Sequence, residues 1–183
     1  MSKPGLVRNQ ALASVLCAMA SAACVTIPES DPSPPVVTLE VTVDEWPPLG
    51  ITRHYKVDSG LGWNATDTLA LLDFERLHAV ATADDTGGVF DIQVHAVLEQ
   101  VCEPGEPAER TFERENADSF KSPNDTASRG RITYLDVEKP LDFPECPSGS
   151  NPQGTVFVRV WAVGSNFHGG VTTSPSVSLM LQR

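Results

Sequence analysis

Hydrophobic and polar residues alternate along most of the chain beyond residue 35. Successive side chains of a strand point to opposite faces, so this alternation predicts strands with one buried face. The pattern runs through six segments, at residues 37–43, 77–83, 90–98, 132–137, 156–163 and 176–181. Thr66–Leu72 has no clear period, and we assign it to a strand rather than to a helical turn. No segment beyond residue 35 shows a convincing 3.6-residue stripe, so the predicted fold class is all-β.

Turn residues separate these predicted strands. Asp84–Gly88, with the sequence DDTGG, predicts a hairpin turn because its glycines readily take positive φ. Gly164–Gly170 predicts a second loop. Several short strands with turns between them indicate an antiparallel sandwich.

Two of these segments resemble hairpins of bacterial Ig-like domains. Residues 77–97 read LHAVATADDTGGVFDIQVHAV, and residues 156–181 read VFVRVWAVGSNFHGGVTTSPSVSLML. The second segment resembles the last hairpin of those domains. The resemblance implies an antiparallel Ig-like β-sandwich of about seven strands, covering residues 36–183. Folds of this kind serve many functions, so the resemblance implies no ligand.

The first 23 residues have the pattern of a signal peptide. Residues 1–10 carry Lys3 and Arg8 without an acidic residue, and residues 11–23 are uncharged and mostly small or apolar. A basic segment followed by an apolar segment of this length is typical of export signals. We therefore predict that residues 1–23 are removed.

The cleavage site has two interpretations. The small residues Ala20-Ser21-Ala22 favour ordinary secretion with cleavage before Ala23. Alternatively, Ser21-Ala22-Ala23-Cys24 resembles the lipobox of bacterial lipoproteins, in which cleavage precedes the cysteine. That resemblance implies that Cys24 receives a diacylglycerol, and that the membrane is a partner through this lipid.

The cysteine count favours the lipoprotein interpretation. Cys17 lies within the apolar segment and leaves with it, so Cys24, Cys102 and Cys146 remain. An odd number of cysteines in an oxidising compartment requires an explanation. Lipidation of Cys24 would explain the odd number, because it leaves Cys102 and Cys146 to form a disulfide. The alternative is that Cys102 and Cys146 are two free thiols. The disulfide would close a long polar insertion, 103–145, in which only 132–137 looks like a strand.

Residues 24–35 are predicted to form a proline-rich tether. Pro28, Pro32, Pro34 and Pro35 favour extended chain, which suits a semi-rigid spacer between a membrane and a domain. Lipoproteins often use Asp after the cysteine for retention in the inner membrane. Val25 stands there instead, which favours the outer membrane, with a periplasmic or secreted protein as the alternative.

The net charge argues against two classes of partner. The formal charge is −11, and removal of Lys3 and Arg8 with the signal peptide takes it to −13. An acidic surface argues against nucleic acid and against peripheral binding to anionic lipid. The partner other than the membrane is therefore predicted to be an unknown protein or glycan.

The chain carries few signs of catalytic chemistry. It lacks the nucleotide-binding, hydrolase and zinc-protease motifs, and we predict no cofactor and no metal. His78 and His95, with Asp91, are a weaker metal candidate, because they fall on the outward faces of strands predicted to be neighbours. Calcium at Asp84, Asp85 and Asp91 is a further weak candidate.

The most promising ligand loop is Ser165, Asn166, Phe167 and His168, set among glycines. These side chains suit contact with a glycan or a peptide, whereas a nucleophilic Ser165–His168 pair lacks an evident orienting acid. Trp46 and Trp63 are expected to fill the ends of the core, or, if exposed, to form an edge that binds a partner. The predicted function is a non-enzymatic, membrane-anchored envelope lipoprotein. The alternatives are a small secreted hydrolase or metal-dependent enzyme, and an accessory subunit of an envelope assembly.

Overall fold

The computed structural model describes residues 32–45, 50–70, 73–102, 110–121, 127–138, 146 and 154–182. Every helix or strand element in these ranges is a strand, which confirms the all-β class. The nine strands are β1 (Val36–Glu45), β2 (Thr52–Asp58), β3 (Ala65–Ala70), β4 (Phe74–Val101), β5 (Arg110–Ser119), β6 (Ser128–Glu138), β7 (Thr155–Asn166), β8 (Val171–Thr173) and β9 (Val177–Gln182).

Strand β4 organises the fold. It continues for 28 residues through Asp84–Gly88, so the hairpin predicted there is wrong. Its two halves pair with different neighbours: the first half lies between β1 and β6, and the second lies between β7 and β5. The register shifts between Asp84 and Val89, and Gly88 has a φ of 90°. The glycines therefore allow an irregularity, similar to a β-bulge, within one continuous strand.

The shared strand joins two sets of paired strands. All nine strands belong to one sheet. Within it, we call the strands in the order β2-β1-β4-β6 the first sheet and those in the order β5-β4-β7-β9-β3, with β8 added to β7, the second sheet. The inward side chains of both sheets form one buried cluster. Alanines fill part of it on β4 and β7. They are Ala79, Ala81, Ala83, Ala96 and Ala162.

One pair of strands departs from the antiparallel prediction. Strand β3 pairs with β9 in parallel, from Ala65 opposite Val177 to Ala70 opposite Gln182. The structure therefore has a mixed sheet of nine strands where an antiparallel sandwich of about seven strands was predicted. Contacts between β2 and β3 bring together the two ends of the strand order β2-β1-β4-β7-β9-β3. The predicted strand at Thr66–Leu72 is confirmed over Thr66–Ala70, the part that lies in β3.

Side chains bridge the two ends of this order. Asp67 of β3 accepts hydrogen bonds from the Tyr55 hydroxyl at 2.6 Å and from Arg53 Nη1 at 3.1 Å. Arg53 also pairs with Glu45, whose side chain is buried. The Tyr55 hydrogen bond and the Arg53 charge hold the pKa of Asp67 below its ordinary value.

Replacing Asp67 by Asn should therefore weaken this bridge in a pH-dependent way. The folded pKa is depressed, so the stabilisation exists above the unfolded pKa, near 4, and is lost as pH falls through the folded value. At pH 7 we expect the variant to lose about 1 kcal/mol of unfolding free energy, a modest figure because the pair is partly solvated. Urea unfolding from pH 7 to pH 2 measures this difference.

The exposed carboxylate of Glu113 on β5 provides the matched control for Asp67. Glu113→Gln also removes one negative charge, but at a site far from the β2–β3 bridge. Its unfolding curve should stay close to that of the parent. An Asp67→Asn variant whose loss of stability did not shrink at low pH would contradict the assigned role of the carboxylate.

The insertion 103–145 contains more regular structure than predicted. Strand β6 confirms the expected strand at 132–137, but β5 was missed. Residues 111–117 of β5 are exposed on both faces, so their sequence has no alternation to detect. Cys102 and Cys146 form the predicted disulfide, with their Cα atoms 5.7 Å apart.

Candidate functional site

The predicted ligand loop lies between β7 and β8, and Asn166 is its structural centre. Asn166 is 3% exposed, and its Oδ1 accepts hydrogen bonds from the backbone N–H groups of His168, at 3.0 Å, and Gly170, at 2.8 Å. Buried amides that satisfy backbone groups fix loop conformation. Asn166 therefore positions the loop, and its role as a ligand contact stays a prediction.

The same amide binds the end of the tether. Asn166 Nδ2 donates to the Ser33 carbonyl at 2.7 Å and to Asp85 Oδ2 at 3.2 Å. Pro35 is buried, and a Cβ at Gly170 would lie 3.0 Å from Pro34 Cα, so the loop and the tether touch closely. The loop thus holds the chain where it enters the domain.

Phe167 belongs to a cluster of three aromatic rings, which we call the phenylalanine cluster. Its ring lies 5.5 Å from that of Phe90 and 5.0 Å from that of Phe120, both edge to face. The backbone N–H of Phe120 donates to the Phe90 carbonyl at 2.7 Å. Edge-to-face pairs of this kind stabilise aromatic contacts. Phe90 remains 42% exposed, so the cluster reaches the surface.

The other two loop residues point to different surroundings. Ser165 lies at the end of β7, paired with Asp91 and Val171 on its two neighbours. His168 is exposed beyond the buried Asn166. The loop therefore presents Phe167 and His168 at the surface, while Asn166 is used inside the protein.

The histidine pair predicted as a weak metal candidate is not assembled. His78 and His95 lie on the two halves of β4, because the chain does not turn back between them. His78 Nδ1 lies 2.7 Å from Asp136 Oδ1, whereas His95 lies beside Glu115, with 3.7 Å between Nδ1 and Oε2.

The aspartates considered for calcium have structural contacts. Asp85 is buried and accepts from the Gly87 N–H at 2.6 Å, while Asp91 accepts from Gln93 Nε2 at 2.7 Å. Across the ranges that the structure describes, no group of three or more His, Cys, Asp and Glu residues is placed to hold a metal ion.

The outer face of the second sheet is a further candidate surface. Trp161 stacks on His95 with ring centroids 5.2 Å apart, and the Arg159 guanidinium lies 5.0 Å from the indole. Beside this stack is an open hollow of about 680 Å³. Its polar lining is Thr66, Asp67, Thr68, Glu99, Arg159 and Ser178. A planar aromatic group flanked by charges and hydroxyls suits contact with a peptide or a glycan.

Sequence reasoning missed a set of exposed apolar residues near the tether. Trp63 is 52% exposed and Leu61 is 66% exposed, so the expectation that Trp63 fills the core is wrong and the alternative, an exposed Trp63, holds. A role of Trp63 in binding a partner stays a prediction. A signal was present in Gly60-Leu61-Gly62-Trp63, where glycines flank apolar residues in a loop. Trp46 and Cys24 lie outside the described residues.

No known protein family matches the chain, and no characterised protein shows detectable sequence similarity to it. In the described ranges, no helix is long and apolar enough to cross a membrane.

Proposed function

We propose that this protein is a non-enzymatic, lipid-anchored binding module of the bacterial cell envelope. A diacylglycerol on Cys24 holds the chain at the membrane, and residues 24–35 connect it to the β domain. The outer membrane is the proposed location. The domain binds a protein or a glycan through the outer face of its second sheet, around Trp161 and Arg159.

The disulfide is the observation that carries this proposal. It uses Cys102 and Cys146, so Cys24 is the remaining cysteine beyond the apolar segment. Structural disulfides belong to oxidising compartments, which supports export. A single additional cysteine at the end of a signal-like segment, followed by a proline-rich stretch, suits lipidation.

The Ig-like identity of the domain is part of the proposal. It is supported by the segment 156–181, which forms β7, β8 and β9 with β7 pairing to both. The segment 77–97 lends less support, because it lies within the continuous strand β4. An Ig-like domain on a lipid anchor is a suitable binding or structural element.

Substituting Cys24 by Ser should abolish lipidation without affecting the fold. In cells supplied with labelled palmitate, we expect the parent to be labelled and the variant to be unlabelled. Two acyl chains contribute about 0.8 kcal/mol per buried methylene, so their loss should release the domain from the membrane. Membrane fractionation measures the release.

Cys17→Ser provides the matched control, because Cys17 lies within the segment proposed to be removed. This variant should keep both the palmitate label and the membrane fraction. If Cys24→Ser still incorporated palmitate, the acyl group would be on another residue and the assignment to Cys24 would be wrong. A parent protein without any label would contradict the anchor itself.

A further inference from the structure

Half of the ten large hydrophobic residues that are exposed in the described ranges lie where residues 33–35 enter the domain. We call this region the tether end: it comprises Ser33–Val36, the loop after β2, the irregularity of β4, the start of β6 and the β7–β8 loop. Five large hydrophobic residues on it are at least 42% exposed. They are Val36, Leu61, Trp63, Phe90 and Val171.

Backbone contacts place these elements together. The Ser59 N–H donates to the Val37 carbonyl at 2.9 Å, and the Val37 N–H donates to Ser59 Oγ at 3.0 Å. The loop carrying Leu61 and Trp63 therefore begins beside the first residues of β1. On the other side, Asn166 joins Ser33 to the loop that carries Phe167.

From this arrangement we propose that the tether end docks on the lipid bilayer, with Trp63, Leu61 and the phenylalanine cluster at the interface. Aromatic and leucine side chains favour the boundary between lipid headgroups and acyl chains. The inference rests on the proposed anchor at Cys24, because that anchor brings the tether end to the membrane.

The length of the tether supports lipid as the occupant. Ser33 lies nine positions after Cys24, and a fully extended chain spans at most about 3.3–3.6 Å per residue, or about 30 Å over this segment. The tether end must therefore stay within that distance of the bilayer. Strand β7 runs for 12 residues away from it, which adds about 40 Å to the far end, at Thr155. The apolar loops are thus on the side that the anchor holds near lipid.

Charge does not drive this contact. The chain is acidic, and the tether end carries Asp58 and exposed Asp84 as well as exposed Lys121 and Arg129, so anionic lipid should not attract it. Its contact with the bilayer therefore depends on apolar side chains, and zwitterionic lipid should suffice.

Quenching of tryptophan emission by brominated lipid tests the proposal. The protein that begins at Cys24 is anchored to phosphatidylcholine vesicles by its native lipid. Protein purified without that lipid is anchored instead through a maleimide lipid coupled to Cys24. Vesicles with bromine on the acyl chains should quench the emission of bound protein. Trp63→Phe should lose most of that quenching, whereas Trp161→Phe, on the outer face of the second sheet, should retain it.

Leu61→Glu and Ile51→Glu form a matched pair, because Leu61 is 66% exposed at the tether end and Ile51 is 41% exposed beside Glu45, at the other end of β1. We expect Leu61→Glu alone to reduce the quenching. Vesicle-bound protein without quenching, or quenching unchanged in Trp63→Phe, would overturn the docking. The mass of the purified chain reports separately whether Cys24 carries its native lipid, so failure of the anchor and failure of the docking give different results.

Discussion

Replacing Cys102 and Cys146 together by Ser is expected to lower the free energy of unfolding by about 4 kcal/mol. The disulfide joins residues 44 apart in sequence. Closing a loop of that length lowers the conformational entropy of the unfolded chain, which stabilises the folded state. Within this loop lie β5, which is exposed over most of its length, and β6. Urea unfolding of parent and variant measures the difference.

The reduced parent protein is the natural control for this double substitution. It lacks the cross-link but keeps both sulfurs, so its stability should match that of the variant. Cys24→Ser, which leaves the disulfide intact, should unfold like the parent. Equal stability of the oxidised parent and the double variant would contradict the role assigned to the bridge.

Replacing Asn166 by Ala is expected to cost about 3 kcal/mol, because four buried or partly buried hydrogen bonds disappear together. The carboxylate of Asp85 loses a donor in a buried site, and the Ser33 carbonyl loses its contact with the loop. Hydrogen exchange should therefore become faster in peptides covering residues 32–37. Chemical unfolding measures the loss of stability.

Asn116→Ala is the matched control for Asn166→Ala. Asn116 also donates a side-chain hydrogen bond to a backbone carbonyl, that of Tyr134 at 2.6 Å, but it is exposed. Its substitution should change stability by less than about 1 kcal/mol. If Asn166→Ala destabilised the domain no more than Asn116→Ala does, the positioning role of Asn166 would be wrong.

The strands with one buried face were predictable from the sequence. Val37 to Val43 and Val156 to Ala162 alternate because one face meets the core and the other meets solvent. Strand β5 was not predictable in this way, since its residues 111–117 are exposed on both faces. Its position depends on hydrogen bonds to β4 rather than on burial.

The sequence between Asp84 and Gly88 predicted a reversal that does not occur. The same residues that suit a hairpin also suit an irregularity within a strand, and the local sequence cannot distinguish them. The distinction depends on the neighbours β1, β6, β5 and β7, which occupy the two edges of β4. Because the strand continues without reversing, His78 and His95 lie on its two separate halves.

The candidate site was also only partly predictable from the local sequence. The loop at Ser165–His168 was found from its glycines and polar residues, but the role of Asn166 depends on Ser33 and Asp85, which are distant in sequence. The exposure of Trp63 likewise depends on how its loop meets the start of β1. Long-range contacts of this kind leave no periodic signal in the sequence.

Intact mass of the native protein, measured without reduction, tests the central proposal most directly. We expect a chain that begins at Cys24, carries the added mass of a diacylglycerol, and is lighter by two hydrogens for the Cys102–Cys146 bond. An unmodified chain beginning at Ala23, or at any other residue, would contradict the lipid anchor.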